Sequence, residues 1–362
     1  MVKVNDQVPA LMVFFLISAA QTGVGVLGFQ SVINKYAGHD AWISVIVAGL
    51  GFNIIIWIMY RILQNNDGAE IVSIHKFTYG KWLGGILSFI FSMYLILTSV
   101  VVLRTYIEII QVWMFPYVKV WALLLLLIPL IYYIISGEFR IIVGVCFFGV
   151  LYPFFLIFTL FYPLKYSNLT NILPILDHSF TEILQSSSLA IFSFMGVSTL
   201  LVFYPFIRES RKSQKFAHIG NIYTTFLYVF ICLVSYIYYN QSELQNILWA
   251  TLGLWKIIEM PFLARFEYVG IATLFFSILP NVALYLWAST RSLHNLFGIS
   301  HKKTAVFLLV IVYIACIITG GREFISFINN MTGKIGGILL FGYIPILFLI
   351  NLIRRKVKRN AS

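Results

Sequence analysis

The sequence predicts an all-α polytopic membrane protein with ten transmembrane helices, arranged as two five-helix halves of inverted topology. Three observations predict it. Apolar residues make up 60% of the chain and charged residues only 10%, against about 25% charged in soluble domains. The apolar runs are long and continuous, near the about 20 residues a helix needs to cross about 30 Å of hydrocarbon. Backbone groups in lipid must be satisfied internally, and runs of this length select helices over the short alternating segments of a barrel.

The runs place spans at 11–33, 42–63, 82–113, 121–136, 141–162, 186–206, 218–239, 267–290, 304–319 and 335–353. The fourth and ninth are short. They are kept because removing either breaks the alternation of charge between successive loops. With both chain ends inside, the greater part of the 25 Lys and Arg falls on the inner side, including Lys3, the cluster Arg208, Arg211, Lys212 and Lys215, and the tail Arg354, Arg355, Lys356, Lys358 and Arg359. That asymmetry puts both termini in the cytoplasm. The net charge of +12 then reads as anchoring to anionic lipids at the cytoplasmic face, not as nucleic-acid binding. The first span is too long for the core of a cleavable signal, so it is expected to be retained.

Two connections are expected to carry structure. Asp67 and Glu70 have the spacing of a capping box ahead of a short interfacial helix. Leu248, Trp249, Leu252, Trp255 and Ile258 recur at helical spacing within 243–262, which predicts an amphipathic helix across the outer face, ended by Pro261.

The starts of the second five spans follow those of the first five at a nearly steady offset. An odd number of spans per half inverts the second half, the pattern of an inverted repeat with halves 1–165 and 166–362. The first span of each half also carries a glycine-containing segment at mid-membrane: Gly23, Val24, Gly25 and Gly28 in the first span, and at the matching place Ser193, Phe194, Met195, Gly196 and Ser198 in the sixth. Glycine weakens a helix by roughly 1 kcal/mol relative to alanine, so both helices are expected to be broken there. Freed amides can then hold a carboxylate, and freed carbonyls a cation. Thr22, Ser193 and Ser198 are oxygens available to such a cation.

Ionisable groups inside the spans are few. Arg104 and Glu108 stand four apart on one face of the third span, which suggests an ion pair or a gate, with Glu267 or Glu323 within the same circle of partners. Tyr94 and Thr98 share a face of that span. Pro280 and Asn281 interrupt the eighth, the proline removing an N–H and the asparagine supplying donor and acceptor. The six histidines fall in loops or at span ends without metal-ligand spacing, and Cys146, Cys232 and Cys316 stand singly in apolar runs as core residues. No metal, no cofactor and no enzyme activity is expected, since the chain carries none of the phosphate-loop, zinc-protease or nucleophile-elbow motifs.

Taken in order, Gly23-Val24-Gly25-Val26-Leu27, Gly80-Lys81-Trp82, Ser193-Phe194-Met195-Gly196, Arg265-Phe266-Glu267 and Phe297-Gly298-Ile299-Ser300 resemble the B subunit of the GerA-type spore germinant receptors, the spore permease family of the amino acid–polyamine–organocation (APC) superfamily. The resemblance implies an APC/LeuT-like fold. It also implies sensing of a small nutrient, often an amino acid, in the inner membrane of a dormant endospore, beside an A subunit and a C lipoprotein. The family's pocket lies between the first, third, sixth and eighth spans. On this chain it maps to Gly23, Val24, Gly25, Tyr94, Thr98, Phe194, Met195, Gly196, Pro280 and Asn281, where the Pro280-Asn281 pair departs from the small hydroxyl or apolar residues more usual in the family. An amino-acid or cation transporter on the same fold, and a purely structural partner for another sensor, are the competing readings.

Overall fold

The computed structural model describes residues 6–261 and 263–360; Lys3 lies outside them. Among the described residues, eight stretches are long and apolar enough to cross a membrane, and two shorter apolar helices, Met12–Gln21 and Val120–Ser136, accompany them. The long stretch Phe29–Asn65 turns at Gly38, whose φ of +46° is easily reached only without a Cβ. It therefore contains the end of the first span and the whole of the second, Ala41–Asn65. The 17 residues of Val120–Ser136 reach only about 25 Å at about 1.5 Å per residue, so the fourth span is short, as its sequence predicts.

Both predicted breaks are present. The first span runs Met12–Gln21, then a single 3₁₀ turn Val24–Leu27, then Phe29–Ala37. The sixth runs Phe180–Phe194, a 3₁₀ segment Met195–Thr199, then Leu200–Phe203. The third span is one unbroken helix, Lys81–Trp113, and packs along the eighth, Phe266–Phe297. The fifth, which begins at Phe139, is interrupted at Tyr152–Phe154, where Pro153 cannot donate. The seventh is Ser213–Tyr238 and the ninth His301–Ile318.

Two span starts lie well before the expected positions. The sixth begins at Phe180, held by a capping box in which Ser179 and Glu182 satisfy each other's backbone N–H. The tenth begins at Arg322 and contains a π-helical segment, Ile338–Tyr343. Both added stretches are polar enough to fall outside an apolar run.

Two expectations are corrected. The box expected at Asp67 and Glu70 does not form. Asp67 and Gly68 both take positive φ, and the Glu70 carboxylate turns away to Arg291, 2.9 Å, and to Asn295. The short helix itself is present, at Ile71–Tyr79. The connector between the seventh and eighth spans is two short helices, Gln241–Asn246 and Ala250–Lys256, which end before Pro261. It is folded inward: Leu252, Trp255 and Ile258 are buried. Its break between the helices brings the Leu248 carbonyl against Gly28, where a Cβ would collide. The connector thus plugs the first span's break.

Val8 bridges to Ile207, which seats the start of the first span beside the basic 208–215 connection. All three cysteines are buried.

Candidate functional site

The two breaks meet. A Cβ on Gly196 would lie 2.6 Å from Ala20 Cβ and nearer still to the Ala20 carbonyl, so only glycine lets the sixth span's backbone rest on the first. Around this contact the carbonyls released by the first break are captured by side chains. Asn281 Nδ2 donates to Ala19 O at 3.1 Å and Ala20 O at 2.7 Å, and Tyr285 Oη donates to Ala20 O at 3.2 Å. Tyr228 Oη donates to Gln21 O at 3.0 Å. Gln21 Nε2 bridges to Asn221 Oδ1 at 2.8 Å and to Phe194 O at 3.4 Å. Further along, Thr251 Oγ1 donates to Val26 O at 2.9 Å. The amides fare differently. Among the described residues the N–H groups of Gly23, Val24 and Gly25, which precede the first 3₁₀ bonds of the break, make no hydrogen bond, although the unpartnered oxygen Asn281 Oδ1 lies beside Gly23.

The nominated residues fall into three groups. Gly23 faces Asn281, whose side chain lies 3.5 Å from where a Cβ would be, and Gly25 faces Ser193 Oγ at 3.2 Å. Met195 and Tyr94 converge on Gly336 of the tenth span, with Tyr94 Oη 3.0 Å from the position of its missing Cβ. Tyr94 is buried near Thr98 and Ser198, yet its hydroxyl makes no well-formed hydrogen bond among the described residues.

The remainder point elsewhere. Thr98 bonds back to Tyr94 O within its own helix, 2.9 Å. The Phe194 ring stacks on Phe52 at 5.3 Å and leans on Tyr228 at 5.4 Å, away from the third span. Pro280 packs on Gly149 of the fifth span. One residue is about 100° of helical turn, so Asn281 can face the break while Pro280 faces away from it.

The Arg104–Glu108 pair suggested by spacing is not made. Arg104 Nε donates to Thr319 O at 2.8 Å, a carbonyl that the end of the ninth helix leaves free. Glu108 pairs with Arg322 at 3.0 Å, tying the third span to the start of the tenth. Glu267, in the first turn of its helix, pairs with Arg265 at 2.7 Å. At the opposite end of the bundle, burial pushes the Glu70 carboxyl above the ordinary carboxylate range, and Arg291 beside it opposes that shift.

Sequence reasoning missed Gln21, Tyr228, Tyr285 and Gly336. Tyr285 carried a signal, since it stands four residues after Asn281 on the same helical face. Gly336 carried none; its role is set by which helix the fold lays beside Met195.

A groove with about 50 Å³ of enclosed space lies on the other side of the first span, among the fifth, seventh and eighth spans and the connector. It reaches Thr22 and Val26, but its lining includes none of the ten nominated positions.

The family model for the spore germination proteins (Spore_permease) matches residues 7–325. The spore germination protein GerQB of Bacillus cereus is 40% identical over 99% of either chain. The spore germination protein A2 of Bacillus subtilis is 20% identical over 94% of either. Among solved structures, a substrate-bound Na⁺-coupled sialic acid symporter superposes with a TM-score of 0.65 at 14% identity, covering 96% of this chain and 79% of its own. A closed nucleobase-cation-symport-1 family transporter gives 0.63 at 12%, covering 92% and 77%. The fold is therefore that of the APC/LeuT-like transporters.

Proposed function

The chain belongs to the Spore_permease family of spore germination proteins, and from that premise we propose that it senses a small nutrient, an amino acid in the first instance, at the paired breaks of the first and sixth spans. Its place is the spore inner membrane, with both termini cytoplasmic, as one subunit of a germination receptor beside A- and C-type subunits. The observation that carries this reading is the row of amides at Gly23, Val24 and Gly25 that make no hydrogen bond at the first break, together with the unpartnered Tyr94 hydroxyl near Ser198 of the second. Amides of this kind suit a carboxylate, and a buried hydroxyl without a partner invites one.

The breaks are packed on each other at Gly196 and Ala20, so a ligand enters only when the two halves part. It then acts by binding the parted arrangement more tightly than the closed one, which is the only way a ligand shifts such a balance.

Tyr94→Phe tests this. The fold loses no hydrogen bond by the change, so protein level and thermal stability stay at the parent's value. Spores carrying it should need a higher nutrient concentration to germinate. An unchanged dose response removes Tyr94 from the site. Concentrative uptake of labelled nutrient into vesicles holding this chain alone would mark a transporter instead.

A further inference from the structure

The groove beside the first span is unlike the central site in chemistry. Its walls are apolar: Leu156, Ile157 and Leu160 of the fifth span face Leu227 and Ile231 of the seventh. Its enclosed space is only about 50 Å³, so it is a narrow groove, too slender for a compact molecule and suited to a thin chain. It opens between these two spans, where Phe154 is 44% exposed. The rim continues into the apolar outer surfaces Phe158 and Phe161 on one side and Phe226 on the other. In a membrane-spanning bundle that mouth faces lipid.

One buried polar group there is without a partner. Trp255, on the short connector helix, lines the cavity and is 3% exposed, and its indole N–H has no acceptor among the described residues. The benzenoid edge of the ring, Cε3 and Cζ3, lies against Gly270 of the eighth span, so the nitrogen is on the edge turned away from that helix. A buried donor of this kind normally finds a partner. The other polar groups lining the cavity near the first and eighth spans are already engaged: Thr22 Oγ1 donates to Ser18 O, Thr251 Oγ1 to Val26 O and Ser277 Oγ to Gly149 O.

We propose that this cavity holds one acyl chain of a membrane glycerolipid, its ester carbonyl accepting from Trp255 Nε1 and its tail running between the fifth and seventh spans toward Gly149. The direction fits the lining, which has a buried unpaired donor at the connector end and Leu156, Ile157, Leu160, Leu227 and Ile231 along the fifth and seventh spans, with Tyr223 also on the wall. Thr22 and Val26, which flank Gly23 and Gly25, form part of the same wall. Occupancy is thereby coupled to the conformation of the first break from the side opposite the central site. By linkage, a nutrient that moves the break changes the affinity for the chain, and the chain changes the affinity for nutrient by the same factor.

The test uses the full-length chain in nanodiscs of phosphatidylcholine with brominated acyl chains, bromine being a contact quencher of indole emission. Subtracting the spectrum of Trp255→Phe from the parent's isolates Trp255. The expected result is loss of more than half of the Trp255 emission in brominated relative to plain lipid, and recovery of that emission when Ile231→Phe fills the cavity. Undiminished Trp255 emission in brominated lipid overturns the proposal. So does equal quenching in the filled variant, or quenching by a free brominated fatty-acid methyl ester but not by the phospholipid. The readout needs no germination, so it stands or falls apart from the nutrient site.

Discussion

Replacing Gly196 with alanine puts a methyl group where the first span's backbone passes. The new Cβ would stand 2.6 Å from Ala20 Cβ, with the Ala20 carbonyl nearer still, whereas ordinary contacts begin near 3.4 Å. Neither obstacle is the end of a flexible side chain, so the two breaks must part by about an ångström, an overpacking that costs about 1–3 kcal/mol. The Ala20 carbonyl also receives Asn281 at 2.7 Å and Tyr285 at 3.2 Å. Dragging it off those donors forfeits about 1 kcal/mol for the better bond. The sum is about 3 kcal/mol, roughly a hundredfold in the folded-to-unfolded ratio. The buried Cys146, Cys232 and Cys316 supply the assay, because a thiol-reactive dye reports their exposure as the purified chain is heated in detergent. Gly144→Ala is the matched control: it lies in a helix with nothing within 4 Å of its Cβ, and alanine there should be neutral or stabilising by up to about 1 kcal/mol. Equal melting of the two variants would refute the backbone contact between the breaks.

Three further outcomes are expected from the ion pairs and caps. Arg291→Met leaves the buried Glu70 carboxylate with Asn295 and no cation, at a cost of about 3 kcal/mol near neutral pH. Because burial already raises the Glu70 pKa, the folded chain holds that proton more tightly than the unfolded one. Stability is then full below the ordinary carboxylate pKa and is lost as pH rises through the raised value. Melting of this variant from acidic to neutral pH should show the deficit growing with pH. Glu108→Gln and Arg322→Gln should show a coupling of only about 0.2–1 kcal/mol in a double-mutant cycle, since Arg322 is 45% exposed. Ser179→Ala removes the capping box of the sixth span and should lower stability by about 1 kcal/mol, with amide exchange rising first at residues 180–183.

Span existence was legible because bilayer thickness fixes the length of the apolar run, and a run is a local property. The breaks were legible for a related reason: Gly23, Gly25 and Gly196 mark places where helix is weak whatever surrounds it. What failed was partner choice. Spacing allowed Arg104 to meet Glu108, but a free helix-end carbonyl at Thr319 lay within reach and took the guanidinium. The capping pattern at Asp67 and Glu70 lost to a buried cation on the eighth span, while the same pattern at Ser179 and Glu182 went unread because it stood outside an apolar run. The connector read as a surface helix because its apolar residues have helical spacing, and nothing local says that Gly28 leaves room for its carbonyl to dip inward. In the nominated pocket, Asn281, Met195 and Tyr94 do face the breaks, whereas Pro280, the Phe194 ring and the Thr98 hydroxyl do not. That distinction depends on helix rotation, which an apolar stripe covering most of a buried helix cannot reveal.

The hydrogen bonds at the first break also weigh on the kind of ligand. A broken helix releases two sorts of group, and an open choice between anion and cation recognition follows from the sequence. In the folded chain the carbonyls of Ala19, Ala20 and Gln21 already receive donors from the seventh and eighth spans, and the hydroxyls of Thr22 and Ser198 are spent on carbonyls of their own helices. A cation would share those carbonyls with fixed donors, but the side-chain oxygens Gln21 Oε1 and Asn281 Oδ1 at the break have no partner among the described residues. A carboxylate would meet the Gly23, Val24 and Gly25 amides, which make no hydrogen bond among the described residues, in surroundings of low dielectric where each such bond gains strength. No carboxylate of the chain lies in the middle of a span to neutralise a cation instead. On the proposed reading, the break offers unsatisfied groups of both kinds: amides for the negative end of a zwitterionic nutrient, and the Gln21 and Asn281 side-chain oxygens for its positive end.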